Sequence, residues 1–207
     1  MLLIRINHKG LSLAELLVAT ILMGIVMLGV ISVNYAVKRM ESTTSRSTIL
    51  GIQTAAAMNH MTRNGLLAVG YEGNQGIVIE QTTPPSVSYL SFRQDINSTP
   101  TDFNDDQWVI YTDAGQANHL YTCRQDAVTG AVPNTVAGPC SPGQSLLLLD
   151  NVGLFNYQLV RDNTIPSVYV LLDIQTQSDV TQAVDPINNP TYELTTQISP
   201  PFHSWSQ

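Results

Sequence analysis

Four oxygen-bearing side chains are spaced as in a calcium-binding loop. Asp102, Asn104 and Asp106 alternate along the segment DFNDDQWVIYTD, and Asp113 stands at the twelfth position of the loop that Asp102 would begin. Calcium loops place ligands at positions 1, 3 and 5 and a bidentate carboxylate at position 12. Position 6 of such a loop needs glycine for its sharp turn, but here it is Gln107, and the residues that follow are typical of a strand. The segment therefore favours a solvated acidic turn leading into a strand, with calcium binding as the alternative.

The two cysteines of the chain, Cys123 and Cys140, enclose a segment that contains glycine and proline but has no hydrophobic periodicity. They form no CxxC pair and have no neighbouring histidine, so they do not match a metal-binding pattern. Oxidising compartments favour disulfides, and closing a loop of this length contributes about 3 kcal/mol on the chain-entropy account. The sequence predicts a disulfide between Cys123 and Cys140, with two separate buried thiols as the alternative.

Enzymatic catalysis has no recognisable pattern in this sequence. The four histidines, His8, His60, His119 and His203, are scattered along the chain. The sequence contains no G-x-S-x-G, H-E-x-x-H or phosphate-loop motif. We therefore predict that the protein is not an enzyme and needs no cofactor.

A single carboxylate, Glu15, lies at the start of a long apolar run. The 22 residues from Leu16 to Val37 carry no charge, and about 20 apolar residues suffice for a helix to cross a bilayer. The run is too long for a secretory signal and ends in SVNYAVKR, which is a poor cleavage site. A carboxylate at the centre of a membrane helix costs about 2.5 to 3.5 kcal/mol. Glu15 therefore needs either a partner or a position at the membrane edge.

Residues 9–30, which begin KG and continue LSLAELLVATILMGIVMLG, resemble the prepilin signature of type IV pilins and of the pseudopilins of type II secretion. In that family a membrane peptidase cuts after the glycine of a basic leader, and the fifth residue of the mature chain is Glu. The resemblance implies cleavage between Gly10 and Leu11, N-methylation of Leu11, and a role for Glu15 in setting the register of assembly. Leu11 departs from the Phe or Met that is commoner there, and the helix lacks the proline of many major pilins.

The proposed role of Glu15 has a physical reason. After cleavage Leu11 would carry an ammonium group in an apolar assembly, where a buried charge needs a partner. Glu15 is the only acid in this segment, and four residues along a helix it can meet its own amino terminus or that of a neighbour. The helix dipole also favours a negative charge in the first turn. The alternative is that Glu15 only reaches the headgroup level of the membrane.

The elements that position these residues divide the chain into a helical and a β-rich part. No proline precedes Pro84, and Asn64 and Gly65 form a helix stop, so we expect helix from the membrane to about residue 64. Apolar residues at helical spacing predict the face of this stem that packs on a sheet. These residues are Ile49, Ile52, Ala56 and Met61.

Eight short segments after Gly65 are rich in β-branched and aromatic residues and are separated by turn residues. The segments are GIVIEQ, SVSYLSFR, QWVIYTD, HLYTCRQ, SLLLLD, LFNYQLVRD, SVYVLLDIQT and YELTTQI. The predicted fold class is α+β, with a long N-terminal transmembrane and stem helix packed on a mainly antiparallel sheet, as in pilins. The predicted parts are a leader at 1–10, the helix at 11–64 and a β-rich head at 65–207.

The charge of the head restricts its ligands. Beyond Gly65 three arginines stand against 14 acids, which gives a formal net charge of −11. An acidic surface of this kind repels phosphates, so nucleic-acid binding is disfavoured.

The resemblance implies a minor pilin-like structural subunit of a type IV pilus, built into the filament or placed at its tip. The first alternative is a minor pseudopilin of a type II secretion system, and the second is a membrane-tethered adhesin or DNA-uptake module. The implied partners are other pilin or pseudopilin subunits, the prepilin peptidase, the inner-membrane assembly platform and the inner membrane. The implied location is the bacterial inner membrane, with the N-terminus cytoplasmic and the head periplasmic, and then the filament.

Overall fold

The computed structural model describes residues 12–70, 76–80, 89–99, 105–113, 118–127, 145–162 and 167–200. The chain forms two compact units, Met1–Thr44 and Ser45–Gln207. The predicted leader, residues 1–10, lies outside the described residues, as does Leu11.

One long helix, α1 (Leu13–Leu66), covers the predicted helix from residue 13 to residue 64 and continues to Leu66. In its first part every large apolar side chain from Leu13 to Met40 is more than half exposed. The helix is long and apolar enough to cross a membrane, by its length and composition. An apolar surface of this extent needs lipid or other protein surfaces to cover it, because soluble monomers rarely expose one.

The second part of α1 packs on the sheets through a different face from the one predicted. Ile49 and Ile52 are 53% and 65% exposed, and Ala56 is also exposed, whereas Met61 is fully buried. The buried side of this part consists of Leu50, Thr54, Ala57, Met58, Met61, Asn64 and Gly65. The prediction was therefore wrong for Ile49, Ile52 and Ala56.

Hydrogen bonds explain why the packed face contains polar residues. Thr54 is fully buried because its hydroxyl donates to the carbonyl of Leu50 and also bonds the hydroxyl of Thr176 on a strand, each at 2.8 Å. The segment ILGIQTAAAM carries apolar residues on more than one side of the helix, so periodicity alone does not select the packed side. Polar side chains whose hydrogen bonds are satisfied, such as Thr54, can be buried, and the side of α1 that packs on the sheets is the one that carries them.

The first five strands form one antiparallel sheet in sequence order. They are β1 (Ile77–Glu80), β2 (Tyr89–Gln94), β3 (Gln107–Thr112), β4 (His119–Asp126) and β5 (Leu146–Asp150). The last three strands form a second antiparallel sheet in the order β6-β7-β8. They are β6 (Val152–Asp162), β7 (Ser167–Gln177) and β8 (Thr191–Ile198). All eight predicted strands are present, and the chain has the α+β class.

The division into two sheets differs from the single sheet expected, and it occurs at one residue. Asn151 lies between β5 and β6 with a φ of 56°, and its amide donates to the Asp150 carboxylate. A left-handed residue interrupts the extended backbone, and asparagine tolerates this conformation better than most side chains. The chain therefore leaves the first sheet at Asp150 and starts the second at Val152.

The main core lies between α1 and both sheets. Its largest buried side chains include Met61 of α1, Phe92 and Tyr111 of the first sheet, and Leu172 and Ile198 of the second. A smaller cluster contains Trp108 and Ile110 and lies on the other face of the first sheet. This follows from the alternation of side chains along β3, because Trp108 and Ile110 alternate with Val109 and Tyr111.

Gly65 makes a close contact between α1 and the sheets that we expect to be intolerant of substitution. A Cβ at this position would lie 2.8 Å from Cγ2 of Ile198 and 3.1 Å from Cζ of Phe92. We expect Gly65→Val to destabilise the head by about 1 to 3 kcal/mol because the surrounding core must move. Urea unfolding followed by the fluorescence of the buried Trp108 measures this loss. Gly29→Val is the matched control, since a Cβ at Gly29 meets nothing within 4 Å. Equal unfolding midpoints for the two variants would contradict the prediction.

Candidate functional site

Glu15 belongs to a capping box at the start of α1. One carboxylate oxygen of Glu15, Oε2, accepts from the backbone amide of Ser12 at 2.9 Å and from its hydroxyl at 3.0 Å. In return the Ser12 hydroxyl accepts from the Glu15 amide at 3.3 Å, and the Ser12 carbonyl accepts the first helical bond from Leu16 at 3.1 Å. These reciprocal bonds satisfy amide donors that a helix start leaves without an intrahelical partner.

The sequence analysis did not identify Ser12, although the S-x-x-E spacing before an apolar run is a known signal for a helix start. The capping box fixes where the carboxylate of Glu15 lies. Its second oxygen, Oε1, makes no hydrogen bond within the part of the chain that the structure describes. One oxygen of Glu15 thus serves the helix cap, and the other remains available to an added cation.

The surroundings of Glu15 are apolar. Together with Glu15, the side chains of Ala14, Val18, Ala19 and Leu22 line a shallow open groove along the first turns of α1. The small side chains of the two alanines leave space beside Glu15, so another helix or a chain terminus can approach the carboxylate closely. Gly10 and Leu11, the predicted cleavage and methylation positions, lie outside the described residues, and their pairing with Glu15 stays a prediction.

The far end of the apolar run has the composition of a membrane interface. Tyr35 is 69% exposed, and Lys38 and Arg39 follow it about one turn later. Aromatic and basic side chains are enriched at the boundary between lipid and water.

A polar network joins the last turns of α1 to the first sheet. The side-chain amide of Asn64 donates to the carbonyl of His60 at 2.8 Å and to the hydroxyl of Tyr111 at 2.7 Å. The Asn64 carbonyl oxygen accepts from the amide of Gln94 at 2.8 Å, and the Tyr111 hydroxyl lies 3.1 Å from Nδ1 of His60. The rings of His60 and Tyr111 meet edge to face, with centroids 5.8 Å apart.

The ionisable groups of this network are held neutral. Burial raises the pKa of Tyr111 well above its ordinary value. His60 is exposed, but partial desolvation lowers the pKa of its imidazole, and the positive charges of Arg124 and Arg63 lower it further. Both shifts favour an uncharged connection between α1 and β3 near neutral pH.

A buried ion pair lies at the start of β3. Nε of Arg93 is 3.2 Å from Oδ2 of Asp106, and both side chains are 4% exposed. The same Nε donates to the carbonyl of Val69 at 3.3 Å, so the guanidinium also fixes the chain just after α1. Burial lowers the pKa of Arg93, while Asp106 and Asp95 act in the opposite direction. Sequence reasoning did not pair these residues, because the contact depends on the register of β2 and β3.

The two predicted calcium ligands in the described part of the chain, Asp106 and Asp113, do not lie together. Asp102 and Asn104 lie outside the described residues. Asp106 and Asp113 flank the six-residue strand β3 and are about 23 Å apart at the rise of an extended chain, which is too far to share one ion. The structure instead brings Asp106 together with Asp95 and Asp105, with one oxygen of each within 4.8 Å of the others. The expected strand after the acidic turn is confirmed.

Two members of this acidic group, Asp105 and Asp95, accept hydrogen bonds from residues that precede Asp105 in the chain. Asp105 accepts from the hydroxyl of Thr99 at 2.6 Å and from the amide of Asn97 at 3.1 Å, and these bonds lower its pKa. Asp95 accepts from the backbone amide of Thr99 at 3.0 Å. These bonds connect Asp105 with residues 97 and 99 and Asp95 with residue 99.

Cys123 is buried and disulfide-bonded. Cys140, the residue with which the sequence pairs it, is the other cysteine of the chain and lies outside the described residues. The pairing of Cys123 with Cys140 therefore stays a prediction.

The histidines in the described part of the chain serve different neighbours. His60 belongs to the network with Tyr111, whereas Nε2 of His119 is 3.2 Å from the Asp150 carboxylate and its ring stacks on Tyr121. His8 and His203 lie outside the described residues.

A scan against protein-family models, a search of curated proteins and a search of solved structures each found no match to this chain.

Proposed function

We propose that the protein is a minor pilin-like structural subunit, which is processed by a prepilin peptidase and assembled into a type IV pilus or at its tip. The observation that carries this proposal is the combination of an exposed apolar surface on the first part of α1 with one carboxylate fixed in its first turn. The apolar surface from Leu13 to Met40 requires lipid before assembly and other helices after it. Glu15 supplies the one negative charge on this surface that can select a partner terminus.

The exposed face of α1 within the second unit supports contacts between subunits. Ile49 and Ile52 point away from the sheets, and Ala55 and Ala56 on the same side are small. An apolar face at this position suits a neighbouring helix, which could pack closely against the alanines. The stem would then contact its neighbours along both its membrane part and the part beside the head.

In this proposal the precursor crosses the inner membrane once, with its N-terminus in the cytoplasm and its head in the periplasm. Tyr35, Lys38 and Arg39 would lie at the periplasmic surface of the inner membrane. The head contributes structure and surface rather than catalysis, and its acidic charge disfavours a DNA ligand.

The test is the N-terminal sequence and intact mass of the protein purified from membranes of its native host. We expect a chain that begins at Leu11, with or without an added methyl group. A Gly10→Val variant is the control, because the change removes the proposed cleavage residue and should leave the leader attached. A wild-type chain that begins at Met1 would contradict the proposal and favour a membrane-tethered binding module.

The same mass measurement checks the predicted disulfide. Without reduction, the mass should be about 2 Da below that of the free-thiol chain, because forming the bond removes two hydrogens. A Cys140→Ser variant is the control, and its buried Cys123 should be alkylated once the chain is unfolded in denaturant. A wild-type chain whose two cysteines both react with the alkylating reagent without reduction would contradict the prediction.

A further inference from the structure

We infer that His60, Asn64, Gln94 and Tyr111 form an acid-sensitive latch, which holds the last two turns of α1 on the first sheet while the His60 imidazole is neutral and loosens when it gains a proton. The inference goes beyond the proposed function and holds for any role of the head. We call these four residues the His60 latch.

The hydrogen bonds of the His60 latch match completely when Nδ1 of His60 is an acceptor. One N–H of Asn64 donates to the His60 carbonyl, and the other donates to the hydroxyl oxygen of Tyr111. The hydroxyl proton of Tyr111 then has Nδ1 of His60 as its acceptor at 3.1 Å. The side-chain amide of Gln94 donates a hydrogen bond to the side-chain carbonyl oxygen of Asn64. Both N–H groups of Asn64 and the hydroxyl of Tyr111 then have an acceptor, and the proton of the imidazole lies on Nε2. The amide nitrogen of Asn64 also lies 3.4 Å from Nδ1 of His60, which again fits an acceptor at that atom.

Protonation of His60 breaks this match. Nδ1 becomes a donor aimed at the Tyr111 hydroxyl oxygen, which already accepts from Asn64. The hydroxyl proton of Tyr111 must turn to the His60 carbonyl, which is 3.4 Å away and already bonded to Asn64. Tyr111 is fully buried, so its hydroxyl has no easy replacement in water.

The charges around the latch act in the same direction. Arg63 lies one turn from His60 on α1, Arg124 lies on β4, and Tyr111 on β3 is neutral. A protonated His60 would add a third positive charge to this group. The pKa of His60 is lower in the folded chain than in the unfolded chain. Acid therefore shifts the equilibrium toward the open state, and the stabilisation by the latch is lost as pH falls below the ordinary histidine pKa.

The first test uses the wild-type full chain in detergent micelles and needs no substitution. Nitrogen chemical shifts of the His60 ring give the site of its proton and the midpoint of its titration. We expect the proton on Nε2 near pH 7.5 and a midpoint below about 6.5, the ordinary imidazole value. A proton on Nδ1 at neutral pH, or a midpoint at or above the ordinary value, would overturn the inference.

The second test measures hydrogen exchange of the backbone amides of residues 60–66 near pH 7.5 and pH 5, corrected for the intrinsic exchange rate. In the wild type we expect the equilibrium constant for opening to rise on acidification. The rise should be about tenfold for each pH unit by which folding lowers the titration midpoint of His60. His60→Gln should remove this pH dependence. His119→Gln, which changes the histidine that lies 3.2 Å from Asp150, should keep it. Equal pH dependence in wild type and His60→Gln would overturn the inference.

Discussion

Glu15→Ala is expected to abolish incorporation into filaments while membrane insertion and leader cleavage remain largely intact. Insertion depends on the uncharged run from Leu16 to Val37, which the substitution does not change. Incorporation depends, in the proposed function, on a negative charge that neutralises the ammonium group of Leu11 within an apolar assembly. Without Glu15 that ammonium is buried unpaired, which is strongly unfavourable. Shear of assembled filaments, followed by detection of the subunit, measures the loss.

The capping box makes a sharper version of this experiment possible. Glu15→Gln keeps a side-chain acceptor for Ser12, since glutamine serves in capping boxes, but it carries no charge. We expect Glu15→Gln to fail in assembly as completely as Glu15→Ala. Ser12→Ala, which removes the cap and keeps the charge, should retain assembly. If Glu15→Gln assembles normally, Glu15 acts through the helix cap and the charge mechanism is wrong.

Asp106→Ala is expected to be the most destabilising single substitution considered for the head. The change leaves the guanidinium of Arg93 buried without the carboxylate that lies 3.2 Å from its Nε. Removing one member of a buried pair costs about 3 to 5 kcal/mol, because the remaining charge loses its compensation. Urea unfolding followed by Trp108 fluorescence measures this loss as a shift of the midpoint.

The neighbouring acid provides the matched control for this prediction. Asp105 also lies in the turn before β3, but its hydrogen bonds to Asn97 and Thr99 are exposed. Asp105→Ala should therefore shift the midpoint much less than Asp106→Ala. The double variant Arg93→Met, Asp106→Leu should recover most of the loss, because no charge is then left buried. Equal losses in the two single variants would show that the ion pair contributes little.

Local patterns in the sequence predicted most of the elements. The charge-free run and the lack of proline before Pro84 predicted one long helix, and α1 extends from Leu13 to Leu66. The eight β-rich segments correspond to β1–β8, because alternation and turn residues act within a few positions of each other. Ser12 could also have been identified in this way, since the S-x-x-E pattern is local.

Long-range contacts decided which residues act together. Ile49 and Ile52 have helical spacing but are exposed, because the sheets pack against the side of α1 that carries Thr54 and Met61. His60 bonds Tyr111, 51 positions away on β3, and Asn64 bonds Gln94, 30 positions away on β2. No periodicity in the sequence predicts such a network.

The acidic segment shows the same limit. Spacing along the chain placed Asp106 and Asp113 in one candidate calcium loop, but an extended strand separates them and Arg93 pairs with Asp106 instead. The sequence by itself determined the apolar helix with its first-turn carboxylate and the order of helix and strands, because these depend on residues a few positions apart. Only the tertiary structure decided the packed face of α1, the division into two sheets and the buried polar partners, because these depend on which distant segments come into contact.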